Sequence, residues 1–235
     1  MDQFSRTVAL LGQKGLEILA CSKVAVFGVG GVGSFAVEAL ARCGIGKLVL
    51  VDNDIVCETD INRQLEALHS TVGRCKAEVL RERVLDINPQ AEVSIYTEFV
   101  SAKNVDAFID RDVSYIVDAI DTVSAKLEII EKAFFLGIPV VSAMGAGNRL
   151  DPTKLKIADI SETTGCPLAR VIRRELRKKG IGSGLKVVYS TEPPVKNMRQ
   201  PDRKKDRTPG SVPFVPSVAG LFLAAYVVRD LLGLT

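Results

Sequence analysis

The chain has 235 residues, of which 47% are hydrophobic and 25% are charged, an ordinary globular composition that excludes a largely disordered or collagen-like protein. Its five cysteines are too sparse for a disulfide scaffold, and they include no CxxC pair, which excludes the usual spacing of a structural zinc site. The single histidine, His69, makes a histidine-rich metal site implausible. Sparse cysteines and an N-terminus without a secretory signal pattern predict a cytoplasmic protein.

Charge is distributed unevenly along the chain. The whole chain has a net charge of +3, but residues 170–207 contain 13 Lys or Arg and four Asp or Glu, a local net charge of +9. The remainder is therefore mildly acidic. A basic segment on an acidic body predicts a polyanionic partner such as nucleic acid or an anionic membrane.

Short apolar runs alternate with helical patterns through the first half. A glycine-rich turn after the first strand leads into a helix that ends near Cys43. Strands spaced by helices of this length predict a Rossmann-like, doubly wound α/β fold with a mostly parallel sheet and helices on both faces. The predicted strands are 23–27, 47–51, 92–96, 115–120 and 138–142, and the later helices are 74–87 and 123–136.

The second half has a different pattern. Residues 155–160 and 185–189 are predicted to add strands, and 167–179 a helix with a stripe of arginines. Residues 193–213, rich in proline and charge, predict a mobile loop, and the apolar segment 211–228 predicts a buried or interface helix rather than a membrane span. We therefore expect one domain over 1–235, with a nucleotide-binding core over 1–150 and a basic, dimerising extension over 151–235.

The turn GVGGVG combines four glycines between a strand and a helix: Gly28, Gly30, Gly31 and Gly33. Glycine allows a tight turn in which backbone N–H groups approach a phosphate at the helix N-terminus. Asp52 ends the next strand, where a carboxylate accepts hydrogen bonds from ribose hydroxyls. The alternative, a turn that binds nothing, does not explain Asp52. The sequence therefore predicts nucleotide binding.

The glycine turn alone does not separate NAD from ATP. Arg63 and Lys76 follow Asp52 by 11 and 24 residues, and two cations beside a phosphate-binding turn favour triphosphate chemistry. Asp118 and Asp121 stand at the end of a predicted strand, where a carboxylate could hold Mg²⁺ against the triphosphate. For Asp121, the alternative role is the N-cap of the following helix.

These motifs together resemble the ATP-dependent activating enzymes related to ubiquitin-activating enzymes, the ThiF-type superfamily. The matching segments are GVGGVG at 28–33, VDND at 51–54, NRQ at 62–64, VGRCK at 72–76 and DAIDT at 118–122. The resemblance implies ATP and Mg²⁺ as cofactors and a homodimer. It assigns ribose binding to Asp52, phosphate binding to Arg63 and Lys76, Mg²⁺ to Asp121, and a contact with the partner's ATP to Arg6. Asp54 and Asn62, in the same motifs, complete the implied nucleotide-binding set.

Two departures point to one branch of this superfamily. The chain lacks the two CxxC pairs usual in adenylyltransferases that serve sulfur carriers, and it lacks a separate domain with a thioester cysteine. Segments 144–160, 164–180 and 211–221 instead resemble the branch whose members use ATP to cyclise threonylcarbamoyladenosine in tRNA. Adenylation of a sulfur carrier protein is the alternative activity, and a nucleotide-binding adaptor without turnover is a third. A cysteine desulfurase system is a further expected partner, and Cys166 is expected to be structural.

In that branch the polyanionic partner is tRNA, and the basic segment supplies its predicted phosphate contacts. They lie on the predicted helix and in the loop that follows it: Arg170, Arg173, Arg174, Arg177, Arg199, Arg203, Lys204, Lys205 and Arg207. The alternative for any one of them is ordinary solvated charge.

Overall fold

The structure, a computed structural model, describes residues 3–195 and 209–235. Within them lies a seven-stranded sheet of order β3-β2-β1-β4-β5-β7-β6, in which all neighbours are parallel except the antiparallel pair β6 and β7. The mostly parallel α/β sheet predicted from the alternating pattern is confirmed. Its strands are β1 (Lys23–Phe27), β2 (Lys47–Val51), β3 (Glu92–Tyr96), β4 (Tyr115–Asp118), β5 (Val140–Ala143), β6 (Leu155–Asp159) and β7 (Lys186–Ser190).

Helices cover both faces of the sheet, which is why its central strands are continuous apolar runs. Successive residues of β1 enter opposite cores: Val24 and Val26 face one core, and Ala25 and Phe27 the other. The helices are α1 (Ser5–Cys21), α2 (Gly33–Cys43), α3 (Lys76–Ile87), α4 (Val105–Phe108), α5 (Val123–Leu136), α6 (Pro167–Lys178) and α7 (Phe214–Leu231).

The C-terminal helix α7 packs closely across α2. A Cβ atom on Gly220 would lie 2.2 Å from the carbonyl oxygen of Val32, so only glycine permits this approach. Within the described residues α7 is the one helix long and apolar enough to cross a membrane, and 44% of that segment is buried inside the protein. Its buried side chains, including Leu223 and Val227, belong to one of the two cores. The predicted helix is confirmed and is partly buried, whereas its role in an interface and the absence of a membrane span stay predictions.

The fold differs from the sequence predictions at several elements. The short helix α4 was not predicted, β5 begins at Val140 rather than at 138, and α7 spans Phe214–Leu231 rather than 211–228. Helix α1 was not predicted, and its pattern is interrupted at Gly12, which has a φ of 74° and breaks the helix. Strand β4 ends at Asp118, two residues before its predicted end, because the chain turns there toward α5. Most of the predicted loop over 193–213 lies outside the described residues.

Candidate nucleotide-binding site

A cavity of about 860 Å³ opens at the carboxyl edge of the parallel strands. The segments that follow β1, β2, β4 and β5 line it, since the carboxyl ends of parallel strands meet at one edge. Residues on this lining include most of the predicted nucleotide set. They are Gly28, Gly30, Gly31, Asp52, Asp54, Arg63, Lys76 and Asp121.

The four glycines of the turn have different structural roles. Gly28 has a φ of 79°, and a Cβ there would lie 2.8 Å from the carbonyl oxygen of Ala119. A Cβ on Gly33 would lie 1.8 Å from the carbonyl oxygen of Gly28, so this glycine permits the close passage of the turn against the start of α2. Gly30 and Gly31 line the cavity, whereas Gly33 does not. Gly33 therefore has a packing role, and its contact with the nucleotide stays a prediction.

Asp52 holds the glycine turn to the end of β2. Its Oδ2 accepts a hydrogen bond of 2.8 Å from the N–H of Val29, and its Oδ1 accepts one of 2.8 Å from the N–H of Asp54. Burial raises the pKa of Asp52, against the lowering effect of these two backbone bonds and of nearby Lys76. Each carboxylate oxygen keeps a free lone pair, so Asp52 can still accept hydrogen bonds from hydroxyl groups in the cavity.

The two predicted phosphate-binding cations converge on one carboxylate that the sequence analysis did not single out. Asp60 is 7% exposed; its Oδ1 lies 3.3 Å from Nη2 of Arg63, and its Oδ2 lies 3.6 Å from Nζ of Lys76. It also accepts a hydrogen bond of 2.8 Å from Gln64. The one feature of the sequence that could have identified Asp60 was its position in the polar stretch between VDND and NRQ. Asp60 therefore sets the positions of both cations.

Lys76 begins α3 and reaches back to the segment after β2. Its Nζ donates a hydrogen bond of 3.0 Å to Asp54, and its side chain is 6% exposed. Burial by itself would lower the pKa of Lys76, but the Asp54 hydrogen bond and the charges of Asp52, Asp54 and Asp60 raise it. The ammonium therefore stays protonated and provides a fixed positive charge beside the glycine turn.

Asn62 contacts the protein rather than the cavity. Its Nδ2 donates a hydrogen bond of 3.1 Å to the carbonyl oxygen of Ser211, and its Oδ1 accepts one of 2.9 Å from Nη1 of Arg63. Ser211 and Arg63 both line the cavity, but Asn62 does not. Both ends of its side chain therefore hold neighbouring cavity residues in place, and its contact with a nucleotide stays a prediction.

The two carboxylates at the end of β4 and just after it lie in different environments. Asp118 is fully buried, and its Oδ2 accepts hydrogen bonds from Nζ of Lys126, at 2.7 Å, and from Ser142. It is therefore not available to a metal. Asp121 is exposed and lines the cavity, and the N-cap of α5 is Thr122 rather than Asp121. The alternative N-cap role of Asp121 is wrong.

No group of three or more metal-binding side chains lies within residues 3–195 and 209–235. Mg²⁺ is usually held by one or two carboxylates together with the phosphates of a nucleotide, so an all-protein cage is not needed. Asp121 on the cavity lining is consistent with this type of site.

The arginine stripe of α6 is only partly free. Arg170, Arg174 and Arg177 are exposed, although Arg174 forms an ion pair with Glu175 at 2.8 Å. Arg173, in contrast, donates from Nη1 to the carbonyl oxygens of Thr163, at 2.8 Å, and Ile160, at 3.3 Å. Nη1 of Arg173 thus has a structural role, and the predicted nucleic-acid contact of this residue stays a prediction. Arg199, Arg203, Lys204, Lys205 and Arg207 lie outside the described residues.

Arg6 and Cys166 complete the predicted residues. Arg6 is exposed on α1 and does not line the cavity of its own chain. Cys166 is 3% exposed, precedes α6 as its N-cap residue and lines the cavity.

The doubly wound sheet and the glycine turn beside Asp52 define a nucleotide-binding α/β protein. The chain belongs to the ThiF family, whose model matches residues 4–235. It is 46% identical to a tRNA threonylcarbamoyladenosine dehydratase of Bacillus subtilis over 242 aligned positions, which cover 99% of this chain and 95% of that protein. The ThiF-type resemblance seen in the motifs is confirmed.

Solved structures agree with this assignment. The crystal structure of the Escherichia coli tRNA N6-threonylcarbamoyladenosine dehydratase in complex with ATP is 36% identical, with a TM-score of 0.91, and the match covers 98% of this chain and 94% of that one. The same enzyme in complex with AMP gives a TM-score of 0.92.

An adenylyltransferase and sulfurtransferase of Saccharomyces cerevisiae is 35% identical, but the match covers 66% of this chain and 35% of that protein.

Proposed function

We propose that this chain is an ATP-dependent enzyme that dehydrates threonylcarbamoyladenosine in tRNA by closing its threonylcarbamoyl side chain into a ring. The observation that carries the proposal is the convergence of Arg63 and Lys76 on Asp60 beside the glycine turn. It occurs in a chain that matches a dehydratase over nearly the full length of both proteins. A nucleotide-binding adaptor would not need two fixed cations at this position.

ATP is needed because a carboxylate is a poor electrophile. An oxygen of the substrate carboxylate attacks a phosphorus atom of ATP, forming an acyl–phosphate bond and releasing pyrophosphate or, for attack at the γ-phosphorus, ADP. Arg63 and Lys76 offset the negative charge that develops on the phosphate oxygens during this transfer. Gly30 and Gly31 leave room for the phosphates at the N-terminus of α2, and Asp52 accepts hydrogen bonds from the ribose.

Ring closure needs little further help from the protein. The attacking atom belongs to the same side chain as the activated carboxylate, and it expels the phosphate-bearing group while losing a proton. Well-oriented intramolecular reactions have effective molarities of about 10⁵–10⁸ M. A covalent enzyme intermediate is therefore unnecessary, and buried Cys166 is assigned a structural role.

Asp121 is proposed as the Mg²⁺ ligand. It is the exposed carboxylate on the cavity lining after β4, while Asp118 is already paired with Lys126. When bound, Mg²⁺ would supply positive charge against the triphosphate. Asp121 would orient the ion, and its substitution would weaken the binding of Mg-ATP.

A homodimer is proposed from two exposed features. Leu221 of α7 is 45% exposed and Leu10 of α1 is 85% exposed, so each helix has apolar surface that a second copy could cover. Arg6, exposed on α1, would then reach the ATP of the partner subunit. We also propose a cytoplasmic location and keep a cysteine desulfurase as an expected partner.

The tRNA-binding surface is proposed to include the exposed arginines of α6. Arg170, Arg174 and Arg177 are exposed on a helix that begins at the cavity wall, since Pro167 and Leu168 line the cavity. Guanidinium groups bind phosphates well, so these side chains could hold the tRNA backbone while the modified base enters.

The experiment that tests the proposal is nucleoside mass spectrometry of tRNA from a strain that lacks the gene. Deletion should leave linear threonylcarbamoyladenosine, and the wild-type gene should restore the dehydrated form, while a Lys76→Ala gene should not. A deletion strain that keeps the dehydrated nucleoside but loses sulfur transfer to a carrier protein would support the sulfur-carrier alternative instead.

A further inference from the structure

Arg149 is a buried cation in the chain segment that follows β5. The residue is 3% exposed, and it lines the same cavity as the glycine turn. Its Nη1 has no hydrogen-bond partner, and no ion pair joins its guanidinium to any residue of 3–195 or 209–235. Arg149 lies within the segment 144–160 of the sequence analysis, but neither that analysis nor the mechanism above assigns a role to its side chain.

Other buried or half-buried cations near the cavity have a carboxylate partner. Arg63 is paired with Asp60, and Lys76 with Asp54. A guanidinium stays protonated inside proteins, and a buried charge without a partner is strongly unfavourable. Arg149 therefore has the property of a binding residue whose counter-charge comes from a ligand.

The backbone on both sides of Arg149 is held firmly. Asn148 has a φ of 57°, the one positive value at a non-glycine position in the described chain, and its backbone accepts a hydrogen bond from Val195 and donates one to Gly210, each of 2.8 Å. The N–H groups of Leu150 and Asp151 donate to the carboxylate of Glu192. Strained and over-determined backbone of this kind is concentrated at ligand sites.

The strand order indicates which anion Arg149 would meet. Asp52, on the ribose side, follows β2, and the glycine turn follows β1, whereas Arg149 follows β5 on the other side of β4. A nucleotide whose ribose lies at Asp52 and whose phosphates lie at the glycine turn leaves Arg149 beyond the phosphates. The anion there belongs to the second substrate.

We propose that Arg149 binds the carboxylate of the substrate side chain and orients it toward the phosphates of ATP. The proposal rests on the proposed function and adds the residue that recognises the reacting group. A guanidinium donates two parallel hydrogen bonds to a carboxylate, which fixes the plane of the carboxylate as well as its position.

The test uses Arg149→Met in the full chain, with Arg42→Met as the matched control, since exposed Arg42 is paired with Glu38 far from the cavity lining. Binding without ATP is measured for an anticodon stem-loop that carries threonylcarbamoyladenosine and for the same stem-loop with unmodified adenosine. Wild type and Arg42→Met should prefer the carboxylate-bearing stem-loop. Arg149→Met should lose this preference, a loss of about tenfold to hundredfold, and keep its affinity for ATP.

Thermal unfolding separates a binding role from a structural one. Removing an unpaired buried charge should leave the melting temperature of the apoprotein unchanged or raise it, whereas removing a structural arginine would lower it. Arg149→Lys, which keeps the charge but not the paired N–H groups, should give an intermediate preference. Unfolding of both variants would overturn the proposal, because it would show that Arg149 is structural.

The remaining outcomes distinguish this inference from the proposed function. If the wild type prefers the carboxylate-bearing stem-loop and Arg149→Met keeps that preference, the role of Arg149 is wrong and the proposed function stands. If Arg149→Met instead weakens ATP binding, Arg149 is a phosphate ligand and the inference is overturned. If the wild type shows no preference, both the substrate of the proposed function and the role of Arg149 are contradicted.

Discussion

The ammonium of Lys76 lies 3.0 Å from a carboxylate oxygen of Asp54, although 22 positions separate the two residues. Asp54 follows β2, and Lys76 is the first residue of α3, so the pair closes the segment between them into a loop along the cavity. Asp60 and Arg63 lie within that loop. One ion pair thus joins the two ends of this segment, which includes the short 3-10 helix Glu58–Asp60, beside the cavity.

Replacing Lys76 with alanine should reduce turnover by about 10²–10³-fold, because the variant loses a positive charge beside the transferring phosphate. Steady-state release of phosphate or pyrophosphate with modified tRNA measures the effect. Lys47→Ala is the matched control, since Lys47 forms an exposed ion pair with Glu92 at the opposite end of β2. Equal activity of the two variants would remove Lys76 from the mechanism.

Glu66, in the segment between Asp54 and Lys76, provides a test of the electrostatics of this part of the protein. It is 1% exposed, neither carboxylate oxygen has a hydrogen-bond partner, and burial raises its pKa to about 7. Between pH 4.5 and about 7 the folded state therefore holds a proton that the unfolded state has released. The free energy of unfolding should gain a stabilising contribution from Glu66 at low pH and lose it as the pH rises through about 7.

Denaturant unfolding of wild type and Glu66→Gln over this pH range measures that contribution. The difference in the free energy of unfolding between the two proteins should change with pH, and it should level off above about pH 7. A difference that is constant with pH would show that Glu66 does not titrate in this window.

Mixed subunits test whether Arg6 completes the site of a partner. Arg6→Ala and Asp121→Ala should each be inactive as homodimers, because each lacks one proposed ATP contact. After the two are unfolded together and refolded, mixed dimers contain one site with both residues intact, and activity should return in part. Activity that stays absent in mixtures, or a monomer in analytical ultracentrifugation, would contradict the shared site.

Salt dependence tests the arginines of α6. Each phosphate contact should contribute about 0.7–0.9 to the slope of the logarithm of the tRNA association constant against the logarithm of the salt concentration. Replacing Arg170, Arg174 and Arg177 with glutamine should flatten this slope and leave ATP binding intact. Arg173→Gln should instead lower the melting temperature, because it removes the hydrogen bonds to Thr163 and Ile160. A slope that is unchanged in the triple variant would place the tRNA surface elsewhere.

The sequence predicted the sheet well because its signals are local. Strand β1 and helix α5 were predicted with the bounds observed, since an apolar run marks the first and Gly137, with a φ of 68°, ends the second. Helix α1 was missed because Gly12 interrupts its pattern. The local sequence around this helix contains no other strong start or stop signal.

Site residues were predicted from the sequence only where they belong to a recognisable motif. Three charged residues owe their importance to the residues that surround them in the fold: Asp60, Glu66 and Arg149. All three are buried, and the residue type alone does not reveal burial. The structural contacts of Asn62 and Arg173 were missed for a related reason: each side chain donates a hydrogen bond to a backbone carbonyl in another segment of the chain. Spacing along the chain does not reveal such contacts.

The most direct measurement of the central claim is a reaction of the purified chain with tRNA that carries threonylcarbamoyladenosine, analysed by nucleoside mass spectrometry. With Mg-ATP, the modified nucleoside should lose the mass of one water, and AMP or ADP should form in equal amount. With NAD in place of ATP, the nucleoside should remain unchanged. Conversion without ATP, or ATP consumption with no change in the nucleoside, would contradict the assignment.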